Sequence, residues 1–204
     1  MELTWSFGRG FAIGFAIAAA IGPIGLLCIR RSLVEGALVG AVSGLGAATA
    51  DAFYASIAAF GLTAVADLLV GQRRVLGVVG GCFLLILAAH SLVHPAEAAG
   101  DRPPRTLPSA YATTLGLTIA NPATILSFAA AFVGLGLAGH SAPVAAALVL
   151  GVFSGSATWW VILAASVSAL RNRLGPAGLR RLAAGSSVLI GLLGGLAIAA
   201  SLAA

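Results

Sequence analysis

One carboxylate, Asp51, sits in the middle of an apolar stretch running from about Gly36 to Leu62. An ionisable group at bilayer depth is costly and is a functional candidate by default, since it needs a partner that lipid cannot supply. The chemistry open to it is binding of an ammonium group, carriage of a proton, or both in alternation. Burial favours the neutral carboxyl and a nearby cation the ionised one, so a group that alternates between such surroundings suits proton-coupled exchange. The alternative is a static carboxylate hydrogen-bonded to Thr49, Tyr54 or a neighbouring helix. No buried basic partner is obvious in the sequence, which favours a mobile cation or proton.

Two dipeptides carry backbone chemistry. Gly22-Pro23 and Asn121-Pro122 lie at similar depths in separate apolar runs. Proline lacks an N–H and clashes with the preceding turn, so each pair leaves helical carbonyls without their usual partners. At membrane depth such carbonyls are tolerated where they face protein or a cavity, and a half-helix N-terminus favours a ligand's carboxylate. Asn121 also reads as a plain cap for a helix beginning at Pro122, and the two roles are compatible. Ser156 and Thr158, with Trp159 and Trp160 beside them, stand where the second half of the chain would answer Asp51. They read as lining of a path or, for the indoles, as an interface belt or core filling.

The elements that position these residues are membrane helices. Hydrophobic residues make up 60% of the 204-residue chain and charged ones 8%, with no Lys. Soluble domains carry roughly 25% charged residues because their surface must be solvated, so this chain needs lipid as solvent. Six apolar runs are long enough to cross a ~30 Å hydrocarbon layer. They span about Phe7–Ile29, Gly36–Leu62, Val75–Val93, Ser109–Leu137, Pro143–Leu170 and Leu182–Leu202. Arg30, Arg31 and Glu35 mark the first break; Asp67, Arg73 and Arg74 the second; the hydrophilic stretch His94–Arg105 the third. Gly139–Pro143 and the run from Arg171 to Arg181 mark the fourth and fifth. Continuous runs argue for helices over a barrel. The opening run is too long for a removable signal and lacks a basic n-region, so the first span is expected to stay in the membrane.

The two halves look alike. Gly44–Asp51 can be laid beside Val149–Ser156, and Pro23 beside Pro122, with a short insertion near His140–Pro143. Three spans per half is an odd number, so the second unit would be inverted relative to the first. The expectation is one all-α integral membrane domain over residues 1–204 with six transmembrane helices. It divides into two inverted three-helix repeats, 1–93 and 109–204, joined by a hydrophilic connection at 94–108, with the first and fourth helices broken. Paired interruptions in corresponding halves point to a midplane binding site in a secondary transporter. Gly36, Gly40 and Gly44, Gly134 with Ala138, and Gly151 with Gly155 provide small faces for close helix approach. The first, third and fifth connections are richer in Arg than the opposite side, which puts both termini outside by the positive-inside rule. The net charge of +5 fits anionic lipid at the inner face.

A resemblance follows from these residues. Gly22-Pro23-Ile24-Gly25-Leu26-Leu27-Cys28-Ile29-Arg30-Arg31-Ser32-Leu33, followed by Gly36, Gly40, Gly44, Gly46 and Asp51, resembles the amino-terminal signature of the lysine-exporter family, which includes threonine and homoserine efflux proteins. Asn121-Pro122 is similar to the Asn-Pro element that opens the family's second half. The likeness covers nearly the whole chain. It departs where a frequent Pro-Gly-Pro reads Ile21-Gly22-Pro23, where Ala50 replaces a Gly before the acid, and where Ala123 and Thr124 replace a basic residue. The resemblance implies efflux of small metabolites, typically amino acids, across a prokaryotic cytoplasmic membrane. Taken with the residues themselves, the expectation is an exporter driven by inward proton movement, with Asp51, Gly22, Pro23, Asn121, Pro122, Ser156 and Thr158 meeting substrate or proton.

Other chemistries are weaker. Cys28 and Cys82 would support a thiol-redox carrier, yet neither has a CxxC neighbour and the two do not occupy matching positions. His90, His94 and His140 form no recognisable metal set. No phosphate-binding Gly-rich loop with Lys is present, so direct ATP coupling has no support in the sequence, and no nucleic-acid motif is visible. Neither enzyme chemistry nor a cofactor is expected. The Ala and Gly content is compatible with a homodimer and equally with internal packing.

Overall fold

The computed structural model describes residues 1–20, 22–60, 71–93, 106–134, 141–171 and 176–203, and its regular elements are all helices. In chain order these are α1 (Glu2–Ala19), α2 (Pro23–Val34), α3 (Ala37–Ala59), α4 (Arg73–Val93), α5 (Leu107–Ile119), α6 (Pro122–Gly134), α7 (Ala142–Arg171) and α8 (Pro176–Ala203). The first apolar run is therefore broken into α1 and α2, whose axes meet at 77°. The cause is local. Ala20 is extended (φ −68°, ψ 100°), Gly22 is extended (φ −127°, ψ −164°), and Pro23 starts the new helix, where a missing N–H costs nothing. The fourth run is interrupted in the same manner, with Ala120 and Asn121 between α5 and Pro122 at the head of α6. The stretches Asp67, His94–Arg105 and Gly139–His140, which mark three connections in the sequence, lie outside the described residues.

By length and composition α3, α7 and α8 can each cross a membrane, and the bent pair α1–α2 makes a fourth candidate among the described residues. The outer faces of α4, α7 and α8 are apolar: Ile86, Leu150, Leu192 and Leu196 are 60–65% exposed, an arrangement that water would penalise and acyl chains accept.

Inside, α1 runs along α7, α4 along α8, and α3 lies between α5 and α7. Glycine sets these distances. A methyl group at Gly10 or Gly14 would overlap the backbone of Leu148 or Val152, and one at Gly151 or Gly155 the backbone of Phe7 or Phe11, so α1 and α7 meet backbone to backbone. Gly40 abuts Ser32, and Gly44 accommodates Trp160. Gly36 differs from those two, because its φ of 99° makes the turn between α2 and α3. A side chain there would be strained, and its N–H closes α2 on the Arg31 carbonyl at 3.1 Å.

The contact between α1 and α7 cannot be relieved by a rotamer change, because the atoms in the way are backbone. Gly14→Val is expected to destabilise the fold by about 1–3 kcal/mol or more. The check is a lower thermal midpoint in detergent with an increased aggregated fraction.

Candidate functional site

The site is built from α3 outward. Ser43, Ala47 and Asp51 follow one another at single-turn spacing and are all buried, so this face of α3 points into the protein. Asp51 is 3% exposed, and its Oδ2 accepts a hydrogen bond from Ser156 Oγ at 2.7 Å. Ser156 Oγ in turn accepts one from Trp160 Nε1 at 3.1 Å, one turn further along α7. The indole reaches this position because Gly44 has no side chain to meet it. A directed chain of donors, indole to hydroxyl to carboxylate, thus joins α7 to α3.

Of the alternatives for a static Asp51, the neighbouring-helix partner is the one present. Thr49 Oγ1 instead accepts from Tyr111 Oη at 2.8 Å, and Tyr54 Oη donates to the Ile119 carbonyl. That carbonyl ends α5 at the second break. Its helical partner would be the N–H of Ala123, which is occupied by the Asn121 side-chain oxygen at 3.2 Å. Asn121 is therefore a true cap of α6, and its own N–H bonds the Thr118 carbonyl at 3.1 Å, a group that Pro122 cannot serve. The Tyr54 ring stacks near Phe128 of α6, with centroids 6.2 Å apart.

The two breaks and the acid share one cavity of about 60 Å³. Gly22, Pro23, Ile24 and Gly25 line it from the first break, Asn121 and Thr124 from the second, and Ala47, Asp51, Thr118 and Trp160 from the surrounding helices. The first turn of α2 contributes the positive end of its dipole on one side, and Asp51 its carboxyl on the other. Such a pair of features suits a small zwitterion.

Not every candidate residue faces this space. Thr158 is exposed, and its hydroxyl bonds the Ser154 carbonyl at 2.7 Å. Trp159 packs edge-on to Phe15 of α1, with centroids 5.4 Å apart. Cys28 is buried in α2, Cys82 is exposed on α4, and no disulfide joins them. Among the described residues no His, Cys, Asp and Glu group with the makings of a metal site occurs. His94 and His140 lie outside the described residues.

One residue of consequence reads in the sequence as a loop boundary. Arg31 lies within α2 and is 1% exposed. Its Nη1 donates to Ser43 Oγ at 2.7 Å, the Ala110 carbonyl at 2.9 Å and Thr114 Oγ1 at 2.7 Å, while Nη2 donates to Thr113 Oγ1 at 2.8 Å. The guanidinium binds α2 to α3 and to α5 at once. A buried charge is tolerable on these terms, since its donors meet oriented oxygens. The signal in sequence was the hydroxyls: Ser43, Thr113 and Thr114 interrupt apolar runs and call for a shared partner.

The family described as LysE type translocator matches residues 15–201. No curated protein and no solved structure matches the chain.

Two substitutions probe the geometry. Ser156→Ala removes the donor to Asp51 and is expected to slow solute exchange in proteoliposomes about 10-fold, in line with ~1–3 kcal/mol for an unsatisfied buried group. Arg31→Gln strips a buried network of its centre and should cost about 3–5 kcal/mol of stability. A thermal melt in detergent reports it.

Proposed function

This chain belongs to the LysE type translocator family, and from that premise we propose that Asp51 and the two proline breaks form its transport site. The protein is a secondary exporter of amino acids and a multi-pass protein of a prokaryotic cytoplasmic membrane. In this reading the substrate's ammonium group meets Asp51, and its carboxylate meets the first turn of α2. Pro122 heads α6 behind the Asn121 cap, which brings Asn121 and Thr124 to the far wall. A proton travelling inward takes the place of the ammonium on Asp51 and so supplies the drive. The observation that carries this reading is the single cavity touched by both breaks and the acid.

That cavity is small. Ligand pockets are ~300–1,000 Å³, so about 60 Å³ corresponds to a closed form that must open to load. Opening toward the cytoplasm and then toward the outside gives alternating access.

The same reading takes the chain as six spans in two inverted repeats, with α1 and α2 answered by α5 and α6, α3 by α7, and α4 by α8. Three features favour it. The packing is reciprocal, since α1 lies on α7 as α5 lies on α3. The self-paired contacts, α3 with α7 and α4 with α8, are those an internal two-fold axis would generate. Asp51 and Ser156, aligned between the halves, touch each other, as residues beside such an axis must. Both termini are placed outside. Arg31 leaves the count of loop charges because it is buried, yet the Arg of the first, third and fifth connections still outnumber those opposite.

The decisive test is counterflow in proteoliposomes with labelled amino acids, with and without an imposed pH gradient. Wild-type protein is expected to exchange amino acids and to accumulate them against their gradient when protons can run the other way. Asp51→Asn should reduce both by at least ~100-fold, on the order of the cost of losing a charged buried partner. Unchanged transport by that variant would remove Asp51 from the mechanism.

A further inference from the structure

A second cavity of about 30 Å³ adjoins the first. The two share Pro23, Ile24 and Asn121 as walls, a common partition. Beyond that partition the second cavity is lined by Gly77, Gly80, Gly81, Leu84, Leu117 and Ala197, with Ala120 at the break itself. Its surface is mostly aliphatic carbon and glycine backbone, with Asn121 and the Ala120 carbonyl as its polar parts. Asp51 is the acidic residue of the first cavity, and the second has none.

The glycines on α4 are not equivalent. At Gly81 a methyl group would run into Ile198 and the Gly194 carbonyl of α8, so close helix packing explains it. Gly80 has no such explanation. A methyl group there would lie 3.4 Å from the Ala120 carbonyl oxygen and 3.7 Å from the Ala120 Cβ, ordinary contacts on the side facing the break. Glycine is the poorest helix former apart from proline, and here it leaves open a space that alanine would begin to fill.

The geometry points to a side-chain subsite: this second cavity receives the substrate's side chain, and the exported amino acid is a neutral one with a short aliphatic side chain, valine being the type. The inference rests on the reading that the first cavity holds the substrate's ammonium and carboxylate groups. With Asp51 committed to the ammonium, a lysine or arginine side chain would bring a second cation against glycine and leucine with no counter-charge. An acidic side chain would fare no better. The volume has room for about two groups of water or methyl size, which suits the branches of valine. Threonine has the same shape but would set its hydroxyl mostly against carbon, a difference worth up to ~100-fold in an apolar pocket.

The test is counterflow with the full chain in proteoliposomes, using labelled valine, alanine, threonine, lysine and glutamate in parallel. Valine is expected to exchange at least ~10-fold faster than threonine, and lysine and glutamate no faster than in protein-free vesicles. Gly80→Val should lower the valine-to-alanine rate ratio about 10-fold, and Gly80→Ala should lower it in the same direction. Alanine exchange by the same preparation shows that the variant is folded; if Gly80→Val loses it, the ratio is taken from Gly80→Ala. Lysine or glutamate moving as fast as valine would overturn the subsite while leaving the role of Asp51 intact. So would an unaltered valine-to-alanine ratio in the Gly80 variants. Failure to exchange any amino acid would overturn the transport site itself, and the subsite with it.

Discussion

Lipid offers no hydrogen bonds, and the architecture around the breaks answers to that one constraint. A helix interrupted by proline inside a bilayer releases backbone groups that only protein or an internal cavity can satisfy. At the second break three such groups have found partners. The Thr118 carbonyl takes the Asn121 N–H, the Ile119 carbonyl takes the Tyr54 hydroxyl, and the Ala123 N–H takes the Asn121 side chain. The breaks must therefore face inward, and so must Asp51, for the same electrostatic reason. Their meeting in one cavity is a consequence of a shared requirement.

Around that cavity α3 and α7 act as the frame. They are long, continuous and packed by glycine, and the Trp160–Ser156–Asp51 chain bonds them to each other. The broken pieces α2 and α6 are 12 and 13 residues long, short enough to be held mainly by their ends and neighbours. The site thus combines a rigid wall carrying the acid with two short segments carrying the backbone chemistry.

Much of this was legible in the sequence. The helices fall on the apolar runs because charges and prolines leave few other places for an end, and both interruptions sit at the proline pairs. Asp51 drew notice because nothing near it in sequence could neutralise it. What could not be read was lateral: Ser156 as its partner needed the packing of α7 on α3. Even so, Ser156 and Thr158 are two residues apart, and a helix turns ~100° per residue, so both cannot face the same neighbour. Arg31 was hidden by its company. Beside Arg30 and close to Glu35 it reads as a solvated boundary, and only the tertiary arrangement of three hydroxyls and a carbonyl makes it an interior residue. The family to which the chain belongs fixes its general activity, whereas the second cavity behind Pro23 has no mark in the sequence.

The Arg31 network also bears on how the molecule is made. Acceptors on Ala110, Thr113 and Thr114 lie about 80 residues downstream of it. A nascent chain that has delivered only its first half to the membrane holds a guanidinium with Ser43 in reach but without its acceptors on Ala110, Thr113 and Thr114. That charge must wait at the headgroup level, since unaccompanied descent into hydrocarbon is costly. The end of α2 therefore gains these partners only once the segment from Leu107 onward is in place.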